Sequence, residues 1–348
     1  MTQLDELVGK TVGDLAAAWS ASLVALGDKL GLWKALASEG RPIGPAQLAA
    51  ATGVRERYLV PWLCGVAAAG YVDYADGLFT LNEAQATVFA DDTSPVFLTG
   101  LAQILHSVHR DLPKIEKAYR SDDGLPWGGH DADLFTGTER FFRPGYAANL
   151  VESWLPALVG VTSKLEAGAK VADVGCGHGT STLVLAEAYP ASTFAGFDSH
   201  GASIERATQL AKRAGVDDRV RFETAPADAF AGGPFDLICL FDCLHDMGDP
   251  VAALAQCRRR LEVDGTVLLV EPYAGNRIED NLNPVGQLFY AASATICVPN
   301  AVSQHGPGEP LGAQAGPHRL IEVAHRAGFT GARVATSTPF NLILELTP

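Results

Sequence analysis

The chain has 348 residues, of which 47% are hydrophobic and 19% charged; 26 Lys and Arg stand against 40 Asp and Glu, a formal net charge of −14. At about 100–200 residues per domain this length suits two domains better than one, and the apolar content excludes a disordered chain. The acidic balance repels a phosphate backbone and disfavours general nucleic-acid binding.

In chain order, Met1 to Gly13 carries Asp5, Glu6 and Lys10 and reads as no signal peptide, lacking a basic start and an apolar stretch. Leu15 to Ala37 sets Leu15, Trp19, Leu23, Leu26, Leu30, Trp33 and Leu36 on a helical stripe, with Gly27 and Gly31 expected to interrupt it. A loop at Gly40–Gly44 leads to a short helix, Pro45–Ala51, with Pro45 suited to its first turn. Arg55–Ala69 forms a further helix, stopped by Gly70. Tyr71–Tyr74 and Leu78–Leu81 flank Asp76-Gly77, a hairpin signal.

These elements make a winged helix-turn-helix, a shape familiar from DNA binding. Over residues 1–90, however, Lys10, Lys29, Lys34, Arg41, Arg55 and Arg57 are outnumbered by Asp5, Glu6, Asp14, Asp28, Glu39, Glu56, Asp73, Asp76 and Glu83. The would-be recognition helix offers Arg55 and Arg57, offset by Glu56, and is otherwise largely apolar. A helix of that kind packs against something, and a second subunit is the natural candidate, so a homodimer is expected. Residues 96–120 read as helix, Asp122–Pro144 as a Gly/Asp-rich loop over a site, and Tyr146–Leu158 as helix. The expected domains are a winged-helix domain at 1–95, a helical linker and substrate-side loop at 96–160, and a third at 161–348 with an insert at 273–317.

From Lys170 onward strands and helices alternate. Strands are read at Lys170–Val174, Thr193–Asp198, Val220–Thr224, Leu237–Phe241 and Thr266–Glu271, with helices at Thr180–Ala188, Ile204–Ala214 and Val251–Leu261. This is the α/β signature of a doubly wound parallel sheet, whose ligands bind at the carboxyl ends of its strands. Within it, Val171 to Thr182 runs from a strand ending in Asp173 through Gly175-Cys176-Gly177-His178-Gly179 into a helix. Glycines there let a ligand approach the backbone. Thr180 stands where a dinucleotide fingerprint needs its third glycine, which discourages a nicotinamide dehydrogenase, and no Gly-Lys-Ser/Thr follows to make a P-loop. Asp198, ending the next strand, suits the two hydroxyls of a ribose.

The stretch Asp173–Gly179 together with Asp198 resembles the glycine-rich and acidic motifs of the class I S-adenosylmethionine-dependent methyltransferases, over about residues 165–348. The resemblance implies a Rossmann-like sheet, parallel with an antiparallel last strand. Its cofactor would be S-adenosyl-L-methionine, leaving S-adenosyl-L-homocysteine as product. Asp173, Gly175, Gly177 and Gly179 would meet the methionine part and Asp198 the ribose. The family often places an acid after the third strand, near the adenine; here Pro226 stands in its place, which leaves the Ala227 amide or Asp228. The whole chain resembles small-molecule methyltransferases with an N-terminal winged helix, often dimeric, and a bacterial regulator-like subgroup of them. The matching stretches are Phe241–Pro250, Val270-Glu271-Pro272 and Thr338–Asn341, with Phe241 among the implied cofactor contacts. Arg333–Ser337 and Asn341–Leu346 resemble the strand pair that ends the family's sheet.

The expected reaction is methyl transfer to a small-molecule acceptor, a hydroxyl or an amine; a hydroxyl is helped by a general base, which an amine can do without. His245, after the fourth strand, is the candidate; plant-type O-methyltransferases have a similar His-Asp in this place. Two readings of it stand side by side: the base, or a residue that caps the turn before Asp249-Pro250 or packs beside the adenosyl group. Glu271 either holds a substrate hydroxyl or amine, or is a solvated strand end. Tyr273–Pro317 is expected to form a lid. His106 and His109 near Asp111 lack a third metal ligand, and Arg258-Arg259-Arg260 suits a helix C-terminus. The six cysteines form no CxxC pair and give no zinc pattern, which fits isolated thiols in a reducing cytoplasm. No uncharged apolar run is read as approaching the ~20 residues of a membrane span. The competing function is a non-catalytic regulator that binds the cofactor and reads DNA through the winged helix.

Overall fold

The computed structural model describes residues 2–348. The chain gathers into two compact units: residues 1–110 with 131–145, and residues 111–130 with 146–348.

The first unit opens with α1 (Gln3–Lys29), α2 (Leu32–Glu39), α3 (Pro45–Thr52) and α4 (Glu56–Ala68), followed by a hairpin of β1 (Asp73–Ala75) and β2 (Leu78–Thr80). Thr2 caps α1 in a reciprocal box with Asp5. The helix runs through Gly27, which does not interrupt it as expected. A Cβ at Gly27 would fall 2.5 Å from the Trp62 ring and 2.7 Å from Trp33 Nε1, so glycine here is a packing requirement. The two indoles meet edge to face at 5.0 Å and donate to the Val24 and Leu23 carbonyls of α1. The break comes at Gly31, with φ +69. Asp76 and Gly77 both take positive φ, as a tight hairpin turn demands. A helix the sequence reading lacked, Glu83–Phe89, follows, boxed by Asn82 and Gln85.

The expected loop at 122–144 is corrected. A short 3-10 turn occupies Trp127–Gly129, and a helix runs over Asp133–Asn149, continuing through a π-turn at Leu150–Trp154 and a 3-10 turn at Leu155–Ala157. Gly137 in this stretch is a contact point: a Cβ there would sit 3.0 Å from Gly100 O and from Ile104. Arg140 pairs with Asp28 through both nitrogens at 2.6 and 2.9 Å, a fork that ties this helix to α1.

The second unit is built on seven strands: β3 (Lys170–Val174), β4 (Thr193–Asp198), β5 (Val220–Thr224), β6 (Phe235–Phe241), β7 (Leu261–Pro272), β8 (Gly331–Ser337) and β9 (Asn341–Thr347). Their order is β5-β4-β3-β6-β7-β9-β8. All pairs through β7 are parallel, while β9 runs antiparallel to both its neighbours. The chain therefore reverses its direction of strand addition between β3 and β6, the switch point where open α/β sheets bind ligands. Ala172, Val174, Phe197, Ile238, Leu240, Val267, Leu269 and Leu344 fill one continuous core beneath that edge.

The long insert is also helical. Pro284–Ala292, a π-turn at Ser293–Cys297 and Val298–Ser303 follow one another without a break. Residues 284–303 make a 20-residue stretch of mean hydropathy 1.2, 39% of it buried, long and apolar enough by length and composition to cross a membrane, so the expectation of no such run is corrected. The stretch is tied down by polar contacts: Asn300 Nδ2 donates to Asp246 O at 3.0 Å, and Asn300 Oδ1 accepts from Trp127 N at 2.9 Å.

Two glycines of α1 test this packing in opposite directions. Gly27→Val forces the two indoles apart and is expected to cost about 1–3 kcal/mol. Gly9→Ala, where a Cβ meets nothing within 4 Å, is expected to gain about 0.5–1 kcal/mol from helix propensity. Urea denaturation of both variants checks the pair.

Candidate active site

The turn after β3 is shaped by backbone that other residues rarely adopt: Gly175, Gly177 and Gly179 have φ of +74, +52 and +75. At Gly175 an added Cβ would strike Cys243 Sγ at 2.7 Å, whereas at Gly177 it would meet nothing within 4 Å. The first glycine seats the turn against the segment after β6, and the second leaves open space over bare backbone.

Asp173 lies behind this turn and is 1% exposed. Its Oδ2 accepts from Thr182 Oγ1 at 2.6 Å and Ser181 Oγ at 2.7 Å, both on the helix that the glycine turn starts. Its Oδ1 is buried with no protein partner. Burial pushes the carboxyl up to about 6, against the pull of the two hydroxyls. Asp198, at the end of β4, accepts from Gly177 N at 2.9 Å through Oδ2 and from His200 N at 2.8 Å through Oδ1. Burial raises its pKa as well. Each oxygen keeps lone-pair capacity after one such bond.

A second cluster ends β6 and β7. His245, 5% exposed, lies in a 3-10 turn at Leu244–Asp246. Its Nδ1 is 2.7 Å from Glu271 Oε2, and the other Glu271 oxygen accepts from Leu244 N at 2.9 Å. Glu271 is 2% exposed, so the solvated strand-end reading is set aside. Burial alone would depress the His245 imidazole, but the Glu271 and Asp246 carboxylates hold its pKa well above the ordinary value.

Asp242 sits between the clusters at φ +49, strained for a non-glycine residue. It accepts from Tyr146 Oη at 2.8 Å and Asn341 Nδ2 at 2.9 Å, and burial together with the Glu271 charge raises it to about 7. Cys243 Sγ reaches back to Val174 O at 3.2 Å, tying the β6 cluster to the glycine turn.

The fold thus brings Asp173, Gly175, Gly177, Gly179 and Asp198 to the ends of β3 and β4, and His245 and Glu271 to the neighbouring ends of β6 and β7. Phe241 closes β6 with its ring 5.3 Å from that of Tyr146. Ala227, partly buried, and Asp228, exposed, lie just past β5, beyond the Ala225 N to Asp198 O bond at 2.9 Å. Asp242, Tyr146 and Asn341 were not singled out from the sequence. Asp242 and Asn341 lay in stretches that match the family, without either being picked out there; Tyr146 had no signal, because its partner is remote in sequence.

The donor set fits S-adenosylmethionine. An unpartnered buried carboxylate oxygen suits a cationic ammonium, Asp198 suits vicinal hydroxyls, and the open backbone at Gly177 admits a ligand without a side chain in its path.

The burial of Asp173 carries a pH dependence. Its folded pKa lies above its unfolded one, so the unfolded chain loses the proton first and stability falls as pH rises from about 4 to about 6. The penalty reaches about 3 kcal/mol above that window. Asp173→Asn removes it, so the ligand-free variant is expected to gain on wild type between pH 4 and 7, by about that amount. Chemical denaturation across this range is the check; parallel curves would contradict the assignment.

Residues 165–305 match the profile of a methyltransferase domain, and residues 18–90 that of an Rv2258c-like winged helix-turn-helix domain. The 27-O-demethylrifamycin SV methyltransferase of Amycolatopsis mediterranei is 34% identical over 107 residues, 30% of this chain and 39% of that protein. The ubiquinone biosynthesis O-methyltransferase of Psychrobacter arcticus is 29% identical over 131 residues, 37% of this chain and 47% of that protein. The chain thus spans less than half the length of these curated relatives. Whole-chain likeness comes from solved structures. The mitomycin 7-O-methyltransferase MmcR aligns over 100% of both chains with a TM-score of 0.70 at 18% identity. PigF, solved with S-adenosylhomocysteine, does so over 100% of both chains with a TM-score of 0.70 at 20% identity. At such identities the likeness establishes the fold. The chain carries a methyltransferase domain behind an Rv2258c-like winged helix-turn-helix domain, in the fold of the class I S-adenosylmethionine-dependent small-molecule O-methyltransferases.

Proposed function

We propose that this chain methylates a hydroxyl of a small molecule at the expense of S-adenosyl-L-methionine, with S-adenosyl-L-homocysteine as product. The observation that carries the reading is the His245–Glu271 pair, 2.7 Å apart and buried at the end of strands adjoining the open glycine turn. The matches to methyltransferase and O-methyltransferase relatives support it.

When bound, the cofactor supplies an electrophilic methyl on a sulfonium. The chain's residues do the rest. Asp173 Oδ1 accepts from the cofactor's ammonium, Asp198 from the ribose hydroxyls, and Gly177 admits it along bare backbone; Gly175 and Gly179 hold the turn. Ala227 and Asp228 border the adenine, and Phe241 backs the floor between the clusters. Glu271 takes the Nδ1 proton side of His245, which fixes the tautomer and leaves the Nε2 lone pair to accept the acceptor's hydroxyl proton. The same carboxylate then stabilises the imidazolium. An amine acceptor needs no such base, which is why this pair favours oxygen.

The apolar residues left exposed on α1 support a homodimer. Leu4, Leu7, Val8, Val12, Leu15 and Trp19 are all more than half exposed, and Trp19 is 78% exposed. Buried between two copies, such a stripe removes a large apolar area from water.

Three outcomes are expected. Asp198→Ala should abolish cofactor binding by calorimetry while circular dichroism stays native. His245→Ala should keep cofactor affinity yet lose about 10²–10⁴-fold in transfer of labelled methyl to a panel of small phenols and alcohols; equal labelling by wild type and variant would remove the base from the mechanism. Trp19→Asp should convert a dimer to a monomer in sedimentation velocity, and a wild type that sediments as a monomer would dismiss the dimer.

A further inference from the structure

The side of His245 that faces away from Glu271, given to proton transfer above, has neighbours that methyl transfer does not use. Nε2 lies 3.3 Å from Asp246 Oδ1, yet that oxygen is buried and accepts no hydrogen bond. With Nδ1 turned to Glu271, Nε2 is the ring nitrogen that faces this oxygen. Cys297 Sγ completes a triangle: the His245 nitrogen, an Asp246 oxygen and this sulphur all lie within 4.8 Å of one another. Two ligand atoms on a tetrahedral ion at bonds of about 2.0–2.1 Å are about 3.3 Å apart, matching the His245–Asp246 separation.

His130 repeats the His245 pattern from another segment. Its side chain is fully buried, and Nδ1 lies 3.1 Å from Asp111 Oδ2, a carboxylate also paired with Lys114. Its Nε2 is buried without a partner, and the ring lies within electrostatic reach of Asp246. A histidine whose outer nitrogen is held by a carboxylate, leaving the inner one free, is how metal-ligating histidines are oriented. The surroundings are rigid: Asn300 Nδ2 and Gln304 Nε2 both donate to Asp246 O, and Gly312 N donates to His245 O.

We propose that His245 Nε2, Asp246 and Cys297 Sγ form a buried three-ligand site for a thiophilic divalent cation of the zinc class. The set of nitrogen, carboxylate and thiolate donors favours zinc over calcium or magnesium. Binding replaces the Cys297 S–H bond with a metal–sulphur bond and releases that proton to solvent. The ion occupies the Nε2 lone pair that proton abstraction requires. Metal occupancy and base catalysis therefore exclude each other, and zinc inhibits the transfer. This consequence rests on the function proposed above; the site itself does not.

The test uses the full chain, stripped with a chelator and titrated with Co²⁺ alone. One equivalent is expected to bind with a near-ultraviolet thiolate-to-cobalt band that Zn²⁺ abolishes by displacement. Cys297→Ser should lose that band and weaken Co²⁺ binding at least about tenfold. Asp246→Asn, which keeps the thiol, should weaken binding comparably, and both variants should keep the native far-ultraviolet circular dichroism. Absence of a band in the wild-type chain, or its persistence in Cys297→Ser, overturns the site. In the methyl-transfer assay, Zn²⁺ should inhibit wild type in proportion to occupancy, reversibly with chelator. Stoichiometric binding with undiminished transfer would overturn the inhibition and the base assignment while leaving the metal site standing.

Discussion

Asp173, Asp198, Asp242 and Glu271 crowd the carboxyl edge of one parallel sheet, and the rest of the site depends on how the fold tolerates them. Taking a carboxylate out of water is costly unless donors replace the lost hydration. Here the replacements are almost all neutral: two hydroxyls for Asp173, two backbone amides for Asp198, a phenol and an amide for Asp242, an amide and an imidazole for Glu271. No Lys or Arg appears among these partners. The compensation is partial, and Asp173 and Asp242 are left with pKa values raised to about 6 and about 7. An edge of this kind is predisposed to a cationic ligand.

The architecture explains why these acids can be so close. Each stands at or next to the end of a different parallel strand, and the reversal of strand order between β3 and β6 opens the crevice they border. The glycine turn spans one side of it, and the 3-10 turn carrying His245 the other. Contact at Gly175 and Cys243 locks the two together, so a side chain at position 175 would disturb both. The helical stretch 284–303 fastens the His245 turn through Asn300, which shows how an apolar segment can serve a polar site through one buried amide.

The winged-helix unit follows a different economy. Its core is held by a pair of indoles against α1 and an Arg140–Asp28 fork, while the outer face of α1 remains apolar and bare. Acidic residues outnumber basic ones nine to six over residues 1–90, a balance unfavourable to contact with phosphate.

What the sequence determined by itself was whatever local periodicity and turn chemistry encode. The bounds of β3, β4 and β5 and of the helix at Thr180–Ala188 were legible to the residue, because alternation, the glycine turn and short connections all act within a few positions. The motif acids Asp173 and Asp198 were legible for the same reason, whereas His245 and Glu271 were read separately and their pairing came from the packed structure. Where glycine serves packing rather than freedom, the reading failed: Gly27 was expected to interrupt a helix and is a contact with an indole, and the stretch around Gly137 was read as loop and is a helix packed on a crossing one. The same holds for the polar partners. Tyr146 and Asn341 meet Asp242 from about a hundred residues away on either side, and the adjacent His245 and Asp246 meet Cys297 from about fifty residues further along the chain. Only the tertiary structure could decide these, since burial turns an ordinary side chain into a functional one and burial is a property of the whole packed chain.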